Sequence, residues 1–239
     1  VRALVICHSA DEGPGVLDAL LEARGVRVEP FVVVDDPARP VSHTPFPDLG
    51  GYDLVAAMGA PWSVYDTATI GSWIGRELAL LRDAHARGIP VLGVCFGGQA
   101  LAAALGGTVE RAPTPEIGWH HVDTDAPDVV APGPWFQWHG DRFSVPSGGV
   151  ELARSPVGPQ AFVHGRGMGL QFHPEVDVAV LADWLDGRDA TEPEFARAGA
   201  DPARILAQAA EMTAVAHANT QRLLDHFLDV VATADPAAR

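Results

Sequence analysis

Over residues 1–107, short apolar runs alternate with stretches of helical spacing, and this alternation most narrowly limits the fold. "ALVICH" (Ala3–His8) is a β-rich run ending at turn-forming residues, and "GVLDALLEARG" has helical spacing and stops at Gly25. "VRVEPFVVV" and "YDLVAAMG" read as further strands. Ile70 to Arg87 reads as a helix closed by Gly88, and "IPVLGVC" reads as a buried strand. Such alternation predicts a parallel sheet with helices on both faces. Continuous apolar runs, without polar alternation, are what strands buried on both faces require. The predicted fold is a three-layer α/β domain of flavodoxin-like type.

From Thr108 to Gln171 the pattern changes to short strand-like segments broken by Gly and Pro: "TVERAP", "IGWHHVDTD", "WFQWHG", "VELARS", "QAFVHG" and "GMGLQFH". These are expected as antiparallel additions to the sheet, with Gly167–His173 returning to the core. Helices are expected at Val178–Leu185 and from about Pro202 to Val231, the latter with apolar residues at mixed three- and four-residue spacing. "DPARP" and "TADPAAR" are polar punctuation. At 239 residues the chain suits one domain, 1–239, with 177–239 as a helical extension packed on it.

Composition excludes several classes of function. The formal net charge is −15 with no basic stripe, which disfavours nucleic-acid partners. All 16 basic residues are arginine. Without lysine there is neither a Schiff base to pyridoxal phosphate nor a Walker A lysine. Two cysteines, Cys7 and Cys95, are too few for a disulfide scaffold or a four-cysteine zinc site. No run approaches the ~18–20 apolar residues of a membrane span. The N-terminal "VRALVICHSADEGPG" turns polar too soon for a signal peptide, so a cytoplasmic, membrane-free setting is expected.

Within "GVCFGGQALAAALGG", Cys95 lies between a strand end and a helix start. Gly-x-Cys-x-Gly matches a nucleophile elbow, in which glycines let the chain turn sharply. The thiol then sits at the C-terminal edge of the sheet, where open α/β sheets place their sites. The helix N-terminus favours thiolate, and the Phe96 amide is aimed at a developing oxyanion. Cys7, inside "LVICHS", reads instead as a buried strand residue. A cysteine nucleophile needs a base and the base an orienting group. "LQFHPEV" supplies both in His173 and Glu175, spaced by the backbone-restricting Pro174.

Together these two motifs resemble the class I (triad) glutamine amidotransferases, of the stand-alone type similar to the amidotransferase domain of GMP synthase. "GVCFGGQ" is similar to the family's elbow, "FHPE" to its His-Pro-Glu signature and "MGAPWSVYD" to its oxyanion strand end. "PEIGWHHV" and "FQWHGDRF" resemble segments of stand-alone members, so the resemblance runs from about Val1 to Val176. It implies that Cys95 attacks the γ-carboxamide carbon of glutamine, His173 moves the proton and Glu175 orients His173. It also implies that the amides of Ala60 and Phe96 form the oxyanion hole, while Gln99, Trp138, His139, Gly140 and Asp141 help hold the glutamine moiety. No metal or cofactor is implied. Where the family has two glycines before the oxyanion-strand proline, this chain has Gly59-Ala60-Pro61. Alanine resists any glycine-only conformation there.

Simpler readings apply elsewhere. Trp119, Trp135 and Phe136, like Trp138, sit on short strands, where aromatics mostly fill the core. His120 and His121 face opposite sides of a strand and make a poor metal pair. Three functions remain: a glutaminase whose ammonia passes to a separate synthase, a γ-glutamyl hydrolase acting on small γ-glutamyl compounds, and a non-catalytic binding subunit. The segment after Glu175 is shorter than the ~100–150 residues of a typical synthase domain. Any amination is therefore expected on another polypeptide.

Overall fold

The computed structural model describes residues 1–10 and 13–233. Of the polar stretch "TADPAAR", only Thr233 lies among them; the rest falls outside the described residues. Five parallel strands form the centre of the large sheet: β1 (Arg2–Cys7), β2 (Arg27–Val32), β3 (Leu54–Ala57), β4 (Val91–Val94) and β10 (Gly167–Leu170). Their spatial order is β2-β1-β3-β4-β10. This is the flavodoxin-like winding, which gathers the carboxyl ends of the strands along one edge. Three antiparallel strands extend the sheet past β10: β9 (Gly158–His164), β8 (Val150–Ser155) and β6 (Asp123–Thr124).

Side-chain alternation on the strands divides the core into two layers. Ala3, Val5 and Cys7 of β1 pack with Leu17 and Leu21 of α1 (Val16–Ala23) and with Leu223 and Leu224 of α7 (Pro202–His226). Leu4 and Ile6 face the other way, towards Ile74 and Leu81 of α3 (Ile74–Ala86) and Ala100 and Leu101 of α4 (Phe96–Ala104). The predicted three layers are present. Cys7 is buried in β1, as read from its run.

Part of the middle segment departs from the expected sheet additions. β5 (Val109–His120) and β7 (Trp135–Phe143) pair only with each other, in a separate two-stranded antiparallel sheet. "TVERAP" and the start of "IGWHHVDTD" belong to one strand, interrupted between Arg111 and Glu116 by a register shift. Pro113 and Pro115 fall in that gap, where a residue without an N–H cannot donate to the ladder. The small sheet has its own core, formed with α5 (Val178–Leu185), α6 (Pro193–Ala198) and the first turns of α7. Ile117 and Phe136 meet Leu181, Leu185, Phe195, Ile205 and Ala209 there.

Asp177 caps α5 by accepting from the Val180 N–H, and its helix bounds are those expected from the sequence. The short α2 (Thr67–Ile70) and α6 carry too few residues for a periodic signal and were not expected. α7 begins at Pro202 behind an Asp201 cap, and its continuation, Phe227–Val231, widens to a π-helix. No described helix is long and apolar enough to cross a membrane.

Candidate active site

Cys95 is the residue between β4 and α4. Its φ of 50° makes it the one described non-glycine residue with positive φ. Such a conformation costs about 1–3 kcal/mol and persists only where surrounding structure imposes it. Here the Cys95 N–H donates to the Leu170 carbonyl of β10 at 2.9 Å, and the Gly97 N–H donates to the Met58 carbonyl at 3.1 Å. The elbow is thus held from both flanking strands. A Cβ at Gly97 would run into the Ala57 carbonyl and one at Gly93 into Gly97, so the glycines of the motif serve close approach.

His173 lies three residues beyond β10. Its N–H donates to the Phe136 carbonyl at 2.8 Å, tying it to the small sheet, and its ring stands edge-on to Trp184 at 5.2 Å. Nδ1 is 2.7 Å from Glu175 Oε1. A carboxylate only accepts, so Nδ1 carries the proton and Nε2 is the nitrogen free to exchange one. That Nε2 is buried and has no hydrogen-bond partner among the described residues. Burial opposes charge on the ring, but the facing Cys95 sulfur and the Glu175 carboxylate outweigh it and hold the His173 pKa well above its ordinary value. Two contacts fix the backbone of the pair. The Val16 N–H of α1 donates to the Glu175 carbonyl at 2.9 Å, and the Thr220 hydroxyl of α7 donates to the Pro174 carbonyl at 2.8 Å.

A cavity of about 430 Å³ opens onto this group, and Cys95, His173 and Glu175 all line it. Gly59, Ala60 and Pro61 from the end of β3 form one wall, with Phe96 and Gln99 of α4 beside them. A Cβ at Gly59 would lie 3.2 Å from His173 Cε1, which accounts for glycine there. Ala60 does not have positive φ, so this conformation makes no glycine-only demand at position 60.

The other expected residues also border the cavity, in differing ways. Trp138 places its carbonyl 3.8 Å from Cys95 Sγ, while its ring packs on Phe195 and Trp184. Gly140 is exposed, and Asp141 accepts from the hydroxyls of Ser63 and Tyr65, bracing the loop after β3. His139 places Nδ1 2.8 Å from the Asp141 carbonyl and pairs through Nε2, at 3.1 Å, with Glu116 Oε2, a charge contact outside hydrogen-bond geometry. Burial raises the Glu116 pKa, but His139 and Ser155 more than offset it, leaving the carboxyl below its ordinary value. Gln99 donates to Gln171 Oε1 at 3.3 Å, and Gln171 Nε2 stands 3.8 Å from Cys95 Sγ. Trp135 and Phe136 are fully buried, as expected for core aromatics. Among the described residues, no cluster of three or more His, Cys, Asp or Glu is arranged to hold a metal ion.

Residues 17–181 match the family model described as glutamine amidotransferase class-I. The chain belongs to that family. A glutamine amidotransferase from Thermotoga maritima superposes on the chain with a TM-score of 0.78 at 28% identity, covering 96% of this chain and 98% of the other. A glutamine amidotransferase from Methylobacillus flagellatus gives 0.82 at 26% identity, covering 100% and 98%. Among curated proteins, GMP synthase [glutamine-hydrolyzing] of Brucella melitensis biotype 1 is 37% identical over 126 residues, which are 48% of this chain and 24% of that protein. The match to the Brucella ovis protein of the same name is 37% over 126 residues, 48% of this chain and 23% of the relative. The match thus spans about a quarter of the length of these curated relatives.

Several cavity residues were not singled out from sequence. Arg111, Trp184, Arg188 and Glu194 all line it. The Arg188 guanidinium sits over the Trp138 and Phe195 rings at 5.4 Å and pairs with Glu192 and Glu194. Scattered surface arginines carry no local signature, and only the fold brings these together. His8 and Glu77, fully buried behind the Gly59 wall, are a second omission.

Proposed function

We propose that the chain is a cysteine hydrolase of γ-carboxamides, with glutamine as the substrate from which it releases ammonia. The observation carrying this reading is the unpartnered, buried Nε2 of His173, presented to the same cavity as Cys95 while Nδ1 is engaged by Glu175. His173 Nε2 takes the Cys95 thiol proton as Sγ attacks the amide carbon, and the carbonyl π-electrons move onto oxygen. The amides of Ala60 and Phe96 receive that oxyanion. Collapse of the tetrahedral adduct breaks the C–N bond, His173 supplies the proton to departing ammonia, and a γ-glutamyl thioester remains. Water, deprotonated by His173, then attacks the thioester carbon, the C–S bond breaks, the proton returns from His173 to Cys95 Sγ, and glutamate leaves. Gln99, Trp138, Gly140 and Asp141 border the place where the glutamyl group lies, and His139 supports that wall through Glu116.

The ammonia is passed to a synthase activity outside these 239 residues, a reading supported by the GMP synthase relatives, of which the match spans only the smaller part. The chain acts as one domain, with the helices that follow residue 177 completing its cavity through Trp184, Arg188 and Glu194, in a cytoplasmic setting. A second reading, a γ-glutamyl hydrolase, is favoured by the size of the cavity and by its rim of Trp62, Arg111, Trp184 and Arg188, which leaves room for a leaving group larger than ammonia. A non-catalytic binding role is disfavoured because Cys95, His173 and Glu175 all line one cavity.

The deciding experiment measures turnover of purified protein on glutamine and on a γ-glutamyl dipeptide, without added partner. Glutamine hydrolysis, slow alone and raised by a synthase partner, is expected. Rapid dipeptide cleavage with negligible glutaminase activity overturns the amidotransferase reading in favour of the peptidase. An inert protein whose Cys95 resists alkylation near neutral pH favours the binding subunit.

A further inference from the structure

His8 and Glu77 are a buried histidine–carboxylate pair that the proposed chemistry does not use. Each side chain is completely shielded from solvent, and His8 Nε2 lies 3.0 Å from Glu77 Oε1 and 3.1 Å from Oε2. Burying two ionisable groups is unfavourable unless their geometry repays it. The remaining ring nitrogen, Nδ1, is 2.7 Å from the carbonyl oxygen of Gly59. A carbonyl accepts only, so Nδ1 is the donor. Nε2 faces the Glu77 carboxylate, and the two contacts together hold the ring in one orientation. The ring is wedged between Trp73, at 5.5 Å, and Phe96, at 4.6 Å, so it has little freedom to turn away.

Gly59 contributes its carbonyl to the peptide unit whose N–H belongs to Ala60. A trans peptide is planar, and its C=O and N–H point in opposite directions. The cis peptide recorded among the described residues is elsewhere, at Gly133-Pro134. A carbonyl held towards His8 therefore turns the Ala60 N–H away from His8, towards the cavity that Ala60 lines. We infer that His8, backed by Glu77, is a positioning residue that locks the Gly59–Ala60 peptide with its N–H facing the reacting carbonyl, so that the oxyanion hole is assembled before substrate arrives. The inference rests on the hydrolase reading above and adds to it a cause for the orientation of the hole. It also gives alanine a place at position 60, because a peptide held in one orientation has no need of a residue that permits rotation.

The test compares wild type with His8→Phe/Glu77→Gln, which keeps a ring between Trp73 and Phe96 but removes the donor and the buried charge. The apolar pair His8→Leu/Glu77→Leu serves the same purpose if the first does not fold. His8→Asn, whose amide nitrogen falls near the Nδ1 position, is the rescue variant. Two rates are measured on each full-length protein: turnover of glutamine or a γ-glutamyl dipeptide, and alkylation of Cys95 by iodoacetamide. Alkylation needs the sulfur and His173 but forms no oxyanion. Loss of a whole oxyanion donor costs about 100–1000-fold in kcat, and a donor left present but unaimed should cost about 10–100-fold. The expected result is that fall in kcat for the double variants, with KM and the alkylation rate near wild type and most of the loss recovered in His8→Asn. Unchanged kcat in the double variants overturns the inference. So does a parallel fall in alkylation, which would mean general distortion of the site. A wild type that alkylates readily but turns over neither substrate overturns the hydrolase reading itself, before any variant is compared.

Discussion

Among the buried histidine–glutamate pairs of the described residues, two approach Gly59, His173–Glu175 and His8–Glu77, and they differ in what the second ring nitrogen meets. In the His173–Glu175 pair, Nδ1 is bonded to the carboxylate while Nε2 is left without a partner beside Cys95. In the His8–Glu77 pair both nitrogens are bonded, one to the carboxylate and one to the Gly59 carbonyl. The residue types and spacing of the ring to its carboxylate are alike. On the proposed chemistry, a proton carrier differs from a strut in whether its second nitrogen has been given something to hold. Proximity of a histidine to a carboxylate is therefore poor evidence of catalysis until the other nitrogen is accounted for.

Breaking the first pair at its target should have the largest effect. Cys95→Ala should reduce turnover to background, a loss of about 10⁶-fold by the standard of triads that lose a nucleophile, with the fold intact. Cys7→Ala should remain near wild type. An electrophilic glutamine analogue should label Cys95 alone, and mass spectrometry showing label at Cys7 would contradict the mechanism. The same Cys95→Ala protein tests the electrostatics. The sulfur helps hold the His173 pKa high, so its removal should move the His173 titration to lower pH, as read from its imidazole NMR signals. In wild type the folded-state pKa is raised above the ordinary value of about 6.5. The stability it contributes is then complete below about 6.5 and lost as pH rises through the raised value. A stability that instead climbs over that window would show the ring to be neutral.

Glu175→Gln should cost less than loss of Cys95, about 10⁴-fold in kcat, because the base survives with its tautomer and orientation unset. If Glu116→Gln, at the His139 wall, costs as much, the distinction between carrying and bracing histidines collapses. Next in size comes Ala60→Gly, which should keep or modestly raise turnover. A large drop in its kcat would mean that alanine is required and that the oxyanion assignment is wrong. The smallest effect is expected for Thr220→Val, which removes the hydroxyl bonded to the Pro174 carbonyl but keeps the shape. It should lower unfolding free energy by about 1 kcal/mol with little change in kcat. Chemical denaturation together with a kinetic assay would separate the two effects.

What the sequence disclosed follows the range of the interactions involved. Cys95 and His173–Glu175 were legible because their local partners are chain neighbours: glycines around the elbow, and a carboxylate two residues from its histidine. The parallel layers were legible from continuous apolar runs. His8 gave no signal, since its carboxylate lies on α3, far along the chain, and a histidine ending an apolar run looks like core. β5 and β7 look like any two edge strands, and their separation into a second sheet depends on α5 and α6 giving them a core of their own. Arg188 and Trp184 reach the cavity only through that packing.

That packing has a consequence for how the cavity can change. Trp184, Arg188 and Glu194 come from α5, α6 and the turn between them, whereas Cys95 and Phe96 come from β4 and α4. The outer wall is thus a replaceable panel bolted to the small sheet, while Cys95 and its elbow are set into the large one. Substitutions in residues 184–194 can redraw the mouth of the cavity, and with it the range of molecules admitted, without disturbing a single hydrogen bond of the elbow.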